Sequence, residues 1–193
     1  MAEQIVDGNG TGYRVAVNTD NELRTRATTI EQRLHSALDS KYYELTTGSI
    51  TLTNATDTPL IYFINNTTQD IIIDRIFVDT WTSTGATILN GTLKYYRNPA
   101  ISGGSSITPN NTNFGSSETI SIGGLKSLTT MTGTVWWLAS ISQNNSIIID
   151  EGRIVIPIGS SFGISYSAPT GNTSQIININ VAMFNFDSNL LGI

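Results

Sequence analysis

Residues 153–186 read RIVIPIGSSFGISYSAPTGNTSQIININVAMFNF. Three runs within them, Arg153–Ile158, Phe162–Ser167 and Gln175–Phe186, are rich in Ile, Val and aromatic residues, which suit a pleated, half-buried surface. Pro169-Thr170-Gly171-Asn172 separates the last two. Pro pre-sets φ for a turn, and Gly and Asn tolerate positive φ. Strand, turn and strand follow one another here, and no helical period interrupts them.

Towards the N-terminus the same texture recurs. Candidate strands are Ser49–Thr53, Leu60–Asn65, Ile71–Thr80, Thr87–Tyr96, Glu118–Ile122, Gly133–Ile141 and Ser146–Ile149. Turn signals fall between them at Asn54–Thr58 before Pro59, Asn98-Pro99, Gly103-Gly104, Gly123-Gly124 and Asn144-Asn145. Ser102–Ser117, rich in Gly, Ser, Thr and Asn with a lone Phe114, reads as one long surface loop, the kind of segment that carries contacts on a rigid scaffold. Many short strands with explicit turns predict an all-β fold, a jelly-roll-like β-sandwich of about eight to ten strands over residues 42–193. Ile71-Ile72-Ile73 and Ile147-Ile148-Ile149 break the alternation. They fit strands buried on both faces, one against a neighbouring subunit, or ordinary core with a bulge, and the second is the expectation.

Residues 1–27 form an N-terminal arm in this reading. Asp7–Gly12 is turn chemistry. Tyr13–Val17, the turn Thr19–Glu22 and Leu23–Ala27 then make a small hairpin. A lone hairpin is marginal in water, so this one is expected to pack on the body or on another chain. Residues 28–41 are a short helix or linker: Thr28-Thr29-Ile30-Glu31 has the form of a capping box, and Ile30, Leu34, Ala37 and Leu38 share one helical face.

Charged residues make up 13% of the 193, about half the usual share. Asn, Thr, Ser and Gly take their place, filling turns and leaving a neutral surface suited to packing against other proteins. The net charge is −5, and five of the ten basic residues (Arg14, Arg24, Arg26, Arg33 and Lys41) lie among six acids in the first 41 positions. No basic stripe of the nucleic-acid-binding kind is present. No apolar run reaches the ~20 residues of a membrane span, and MAEQIVDGNG lacks the charge and apolar run of a signal peptide. Neither nucleic acid nor membrane is an expected partner. The Asn-x-Ser/Thr sequons are read as products of composition.

The chemistry-bearing residues are few. There is no cysteine and one histidine, His35, and no Gly-x-Ser-x-Gly elbow or phosphate-binding Gly-Lys-Ser/Thr loop. Asp150-Glu151 precede Gly152 as a hairpin turn. Asp70, Asp74 and Asp79 flank one strand and are read as solvated rim positions, although a carboxylate cleft built across strands is left open. Asp7–Gly12 imitates the start of a calcium loop, but its twelfth position is Asn18, not the acidic ligand such a loop needs. No catalytic residue, cofactor or metal is therefore expected. The aromatics remain. Trp136-Trp137 should point to opposite faces of a strand, as should Tyr95-Tyr96. Trp81, Tyr95, Phe114 and Trp137 are the candidate surface contacts, for a protein partner or a sugar ring.

Gly12-Tyr13-Arg14-Val15-Ala16-Val17-Asn18-Thr19-Asp20-Asn21-Glu22-Leu23-Arg24-Thr25-Arg26-Ala27 resembles the N-terminal arm of small virion structural proteins of tailed bacteriophages. There a strand, an Asp/Asn turn and an N-x-L-x-V-x-A strand precede a β-sandwich. Here Glu22 replaces the common Arg after Asn, and Arg26 stands where apolar residues occur. Tyr62–Thr67 leading into Asp70–Ile76, Ile156–Ile164 and Ala168–Ser174 are similar to the same group. The resemblance implies a non-enzymatic virion protein assembled in the bacterial cytoplasm, most often as a trimer on head or tail. The leading form is a capsid decoration or cement protein. Its arm, through Tyr13, Arg14, Val15, Leu23, Arg24 and Arg26, would dock on the major capsid protein, while the body self-associates as a homotrimer. The alternatives are a tail, baseplate or fibre component that binds a host-surface glycan, or a stand-alone carbohydrate-binding module.

Overall fold

The computed structural model describes residues 36–52, 56–82, 90–142, 145–149, 154–171 and 175–186. The arm residues Tyr13, Arg14, Val15, Leu23, Arg24 and Arg26 lie outside them, as do His35 and most of the candidate helix, of which residues 36–38 are described and are helical.

Among the described residues thirteen strands build the body: β1 Tyr42–Thr46, β2 Ile50–Thr51, β3 Asp57–Asn65, β4 Ile71–Thr82, β5 Asn90–Ser102, β6 Ser105–Ile107, β7 Asn110–Asn111, β8 Ile122–Lys126, β9 Thr130–Ser142, β10 Asn145–Ile149, β11 Ile154–Ile156, β12 Ser161–Ser167 and β13 Gln175–Asn185. The first sheet has the order β10-β4-β13-β1-β7, with β11 beside β4 and β2 beside β13; the second has the order β6-β8-β3-β12-β5-β9. Every pairing is antiparallel.

Setting aside β6–β8, the sheets reduce to β1-β13-β4-β10/β11 and β3-β12-β5-β9. Eight lanes arranged this way are a jelly roll. The excess over the expected strand number has two sources. Two lanes are each shared by two short strands, and residues between β5 and β9 supply three more. That insertion crosses to the far side of the sandwich, where β7 pairs with β1 and β8 pairs with β3.

The core is the alternation of inward residues from both sheets. Ile71, Ile73, Ile76 and Val78 of β4 and Ile177, Ile179, Val181 and Met183 of β13 face Phe63, Leu93, Tyr95, Phe162, Ile164 and Tyr166, all essentially inaccessible. Each such side chain stabilises the fold by roughly 1.5–3 kcal/mol through burial. The rings of Phe63, Tyr95, Phe162 and Trp137 form a chain of contacts, with centroids 5.7 Å (Phe63–Phe162), 5.3 Å (Tyr95–Phe162) and 4.6 Å (Tyr95–Trp137) apart.

Where alternation fails, the register slips. Ile61 opposes Ile164 but Pro59 opposes Ser165, so Leu60 is an extra residue, and Leu60 and Ile61 are both buried. Arg75 opposes Ala182 but Ile73 opposes Met183, which makes Asp74 extra. Ile72 turns to the outer face, half-buried against Tyr42, Ala182 and Phe184. The Ile71–Ile73 triplet is thus core on one side and a satellite cluster on the other, with a bulge one residue on. Of Ile147–Ile149, the backbone pairs with β4.

Five sequence expectations are corrected. Tyr42–Thr46 is a strand that the sequence reading left out. Ser102–Ser117 is not one loop, because β6 and β7 lie within it, and the strand expected at Glu118–Ile122 begins only at Ile122. Gly123-Gly124 is not a turn but part of β8. A Cβ on Gly124 would stand 2.8 Å from the Ile107 carbonyl oxygen, and one on Gly123 would stand 2.8 Å from Ile64 Cγ2. These glycines let neighbouring strands approach; they do not reverse the chain. Asn98-Pro99 likewise sits inside β5, as an irregularity between Arg97 and Ala100. Asn98 takes φ 47° there, and its Oδ1 accepts the Ser161 N–H at 2.7 Å.

Candidate interaction surface

Asp57, Asp70, Asp74 and Asp79 are dispersed, each with its own neighbours, while Glu44 and Glu118 line one concavity beside β7. Asp57, at the start of β3, accepts from Lys94 Nζ at 2.6 Å and Ser165 Oγ at 2.7 Å on the outer face of the second sheet. Asp70 accepts the Ile158 N–H at 3.3 Å, and Asp79 accepts Ser146 Oγ at 2.7 Å. Asp74 is not a rim residue as expected. It is buried, and the Tyr42 hydroxyl donates to it at 2.6 Å. Among the described residues no three His, Asp or Glu side chains gather as a metal site would require, and no helix is long and apolar enough to cross a membrane. Asp150-Glu151 lie outside the described residues.

Apolar exposure is concentrated instead. Of the large apolar side chains exposed among the described residues, Val135, Trp136, Leu138, Val155 and Ile158 lie on β9, on β11 or in the turn after it; only Leu38 and Phe114 lie elsewhere. β9 ends the second sheet, and β10 and β11 share the outer lane of the first, so these residues share one lateral edge of the sandwich. No charged residue occurs from Ser127 through Ile149. Among the described residues no strand pairs with the outer edge of β9. An edge of this length without charge or proline is the kind that natural proteins otherwise blunt.

A bulge shapes this edge. Tyr95 opposes Trp137 while Tyr96 opposes Val135, so Trp136 is an extra residue. The expected alternation of the two tryptophans is therefore lost, and both indoles reach the Tyr95 ring, at 5.9 Å (Trp136) and 4.6 Å (Trp137). Trp136 stays 47% exposed and forms one wall of a groove of about 370 Å³ whose other wall is Ile154–Pro157 and whose floor includes Phe162. Arg97, at the rim, is its only charged lining residue among the described residues.

Of the residues singled out from sequence, Tyr95 and Trp137 come together, with ring centroids 4.6 Å apart, while Trp81 and Phe114 lie elsewhere. Tyr95 is not a surface contact: it shares the inward parity of Leu93 and is fully buried. Its neighbour Tyr96 turns to the outer face, yet it too is covered, by Leu128 and Met131. Trp137 is half-buried against the core, and Trp136 is the exposed member of the pair. Trp81 is partly buried near the end of β4, opposite Ile176.

Phe114 is wholly exposed and lies by the opposite edge, beyond β7. Its turn is held by side-chain amides. The Asn113 N–H donates to Asn111 Oδ1 at 2.9 Å, the Gly115 N–H donates to Asn113 Oδ1 at 3.1 Å, and Asn111 Nδ2 donates to the Ser40 carbonyl at 2.7 Å. Nearby, burial and then the charge of Glu118 raise the Tyr43 hydroxyl above its usual pKa.

Sequence reasoning missed Trp136, Leu138, Val155, Ile158 and Arg97. One signal was readable, the absence of charge across β9 and its flanks.

The fold and this edge define a two-sheet jelly-roll sandwich with an uncharged β9 edge and an apolar groove beside it among the described residues. No family model matches the chain, and a search of curated proteins finds no match.

Proposed function

We propose that this protein is a non-enzymatic structural component of a phage virion, a capsid decoration protein that docks on the shell and self-associates. The observation that carries the reading is the β9/β11 edge. A long uncharged edge strand, five exposed apolar side chains and an apolar groove are gathered on one flank, as expected of a surface that another protein covers. The resemblance of the arm sequence to tailed-phage virion proteins supplies the setting, and the dispersed aspartates fit a scaffold better than a catalyst.

The test is co-sedimentation. Purified full-length chain is mixed with shells assembled from the major capsid protein encoded in the same genome. Saturable co-pelleting with the shells is expected, and a chain that stays in the supernatant at every ratio removes the decoration reading.

One observation favours a second reading, glycan binding. The Trp136 indole stands exposed at the mouth of a groove, where it can stack on a sugar ring. A glycan array probed with the wild type and with Trp136→Ala tests it, and binding lost in the variant would place the protein among host-surface binders.

A further inference from the structure

The two flanks of the sandwich carry features of opposite kind. One presents a single exposed ring, Phe114, on a turn fixed by the Asn111 and Asn113 amides, with Glu44 and Glu118 lining the same concavity. The other presents an apolar groove between Trp136 and Val155, with Arg97 as its only charge among the described residues. They cannot meet within one chain, because β7 and the β10/β11 lane lie at opposite ends of the first sheet.

We infer that the Phe114 turn of one copy seats in the Trp136–Val155 groove of a second copy, with Glu118 brought to Arg97. This inference rests on the self-association in the proposed function and deepens it. Three observations commit the occupant. The projecting side chain is apolar and aromatic, as is the groove wall. Glu118 beside the ring and Arg97 beside the groove are opposite in sign. The turn is already held by side-chain hydrogen bonds in the single copy, which lowers the ordering cost of docking. The contact is heterologous, with different patches on the two copies. Such contacts close into rings or run on as filaments, and do not stop at a twofold dimer.

The experiment uses the full-length chain in sedimentation velocity. Phe114→Ser removes the projecting ring and keeps the groove; Val155→Glu blocks the groove and keeps the ring. Each substitution is at an exposed side chain, and an unchanged melting curve confirms the fold. Each variant alone is expected to be monomeric where the wild type is a closed oligomer, a loss of affinity of at least about 30-fold. Mixed in equal amounts they should form a one-to-one dimer and nothing larger, because one intact contact remains. Arg97→Glu and Glu118→Arg should each weaken assembly, and the doubly reversed chain should recover it.

A monomeric wild type, a Phe114→Ser chain that keeps the wild-type mass, or a mixture that stays monomeric overturns the inference. So does assembly that is abolished by a charge on β9 but is indifferent to Phe114, which would mark β9-to-β9 pairing. Shell co-pelleting separates the two readings. If it persists while assembly ignores Phe114, only this inference falls; if it fails as well, the decoration reading falls with it.

Discussion

At the β7 side of the sandwich the outermost strands are two and three residues long and are backed by side-chain amides. At the β9 side the outermost strand runs for thirteen residues without a charged side chain. The two flanks belong to the same jelly roll and face the same solvent, so the fold does not explain the difference. The insertion between β5 and β9 does. Its strands pair with β1 and β3, and although Leu125 and Leu128 pack beside Met131 of β9, no strand of it pairs with β9. Short strands and covering loops are standard protection for a sheet edge; β6, β7, β10 and β11 are all short, and among the described residues β9 alone ends its sheet as a long strand. A β9 left long, uncharged and apolar, where the opposite edge strands are short, is the feature from which a partner is proposed.

If the insertion is a structural seal, damage to it should cost stability. Gly124→Leu is the severest test, because a Cβ at that position meets the Ile107 backbone oxygen at 2.8 Å, and backbone cannot move aside as a flexible side chain does. Overpacking of this kind costs about 3 kcal/mol, and denaturant unfolding should show it as a lower midpoint with β6 and β8 separated. A near-wild-type midpoint would mean that the insertion is loosely attached and that the contrast between flanks is weaker than drawn.

Asn111→Ala is milder. It removes the donor to the Ser40 carbonyl and the acceptor for the Asn113 N–H. At about 1 kcal/mol for each bond, a loss of about 2 kcal/mol is expected in the same measurement. Hydrogen exchange should rise at the Asn113 and Gly115 amides first, since those bonds order the turn that carries Phe114.

Tyr166, on the central strand β12, is a probe that belongs to neither flank. Gln175 Nε2 donates to its hydroxyl at 2.9 Å. Burial raises its pKa above 10.0, opposed by the bonds with Gln175 and Gly91. A raised folded-state pKa favours the neutral phenol in the native state. Its contribution is therefore fully present below the unfolded value near 10 and is lost as pH climbs through the folded value. Tyr166→Phe should cost about 1 kcal/mol at neutral pH, and the deficit should shrink above pH 10, read from melting curves taken across the alkaline range.

The alternating strands were legible. β12, β13 and β4 fall close to where the Ile-, Val- and aromatic-rich runs placed them, because burial on one face leaves a period of two. The bulges were not. A single extra residue at Trp136 exchanges the expected roles of two tryptophans, and nothing in Val135-Trp136-Trp137-Leu138 marks which residue is the extra one; register is set across strands, by Tyr95 and Tyr96. Gly123-Gly124 misled for a related reason. Glycine serves a turn or a close approach equally well, and only the position of Ile107 decides between them. Tyr95 was placed at the surface because its parity relative to Leu93 cannot be scored until the core face is known. The open flank itself left a trace, the uncharged run from Ser127 to Ile149, but a neutral run reads equally as core until the topology puts β9 last in its sheet.

Leu138→Lys should have the smallest effect on stability and says the most about the flanks. Leu138 is 59% exposed and opposes Lys94 on the outer face of the second sheet, so the substitution empties no cavity and is expected to shift unfolding by no more than about 0.5 kcal/mol. A lysine on an edge strand is, however, a common natural device against strand-to-strand association. If the β9 flank works as a contact surface, Leu138→Lys should leave the melting curve in place and reduce light scattering by concentrated solutions, while Lys substitution at Ser106, on the already short β6, changes neither. Equal responses at the two positions would mean that the flanks differ in length and composition without differing in what they bind.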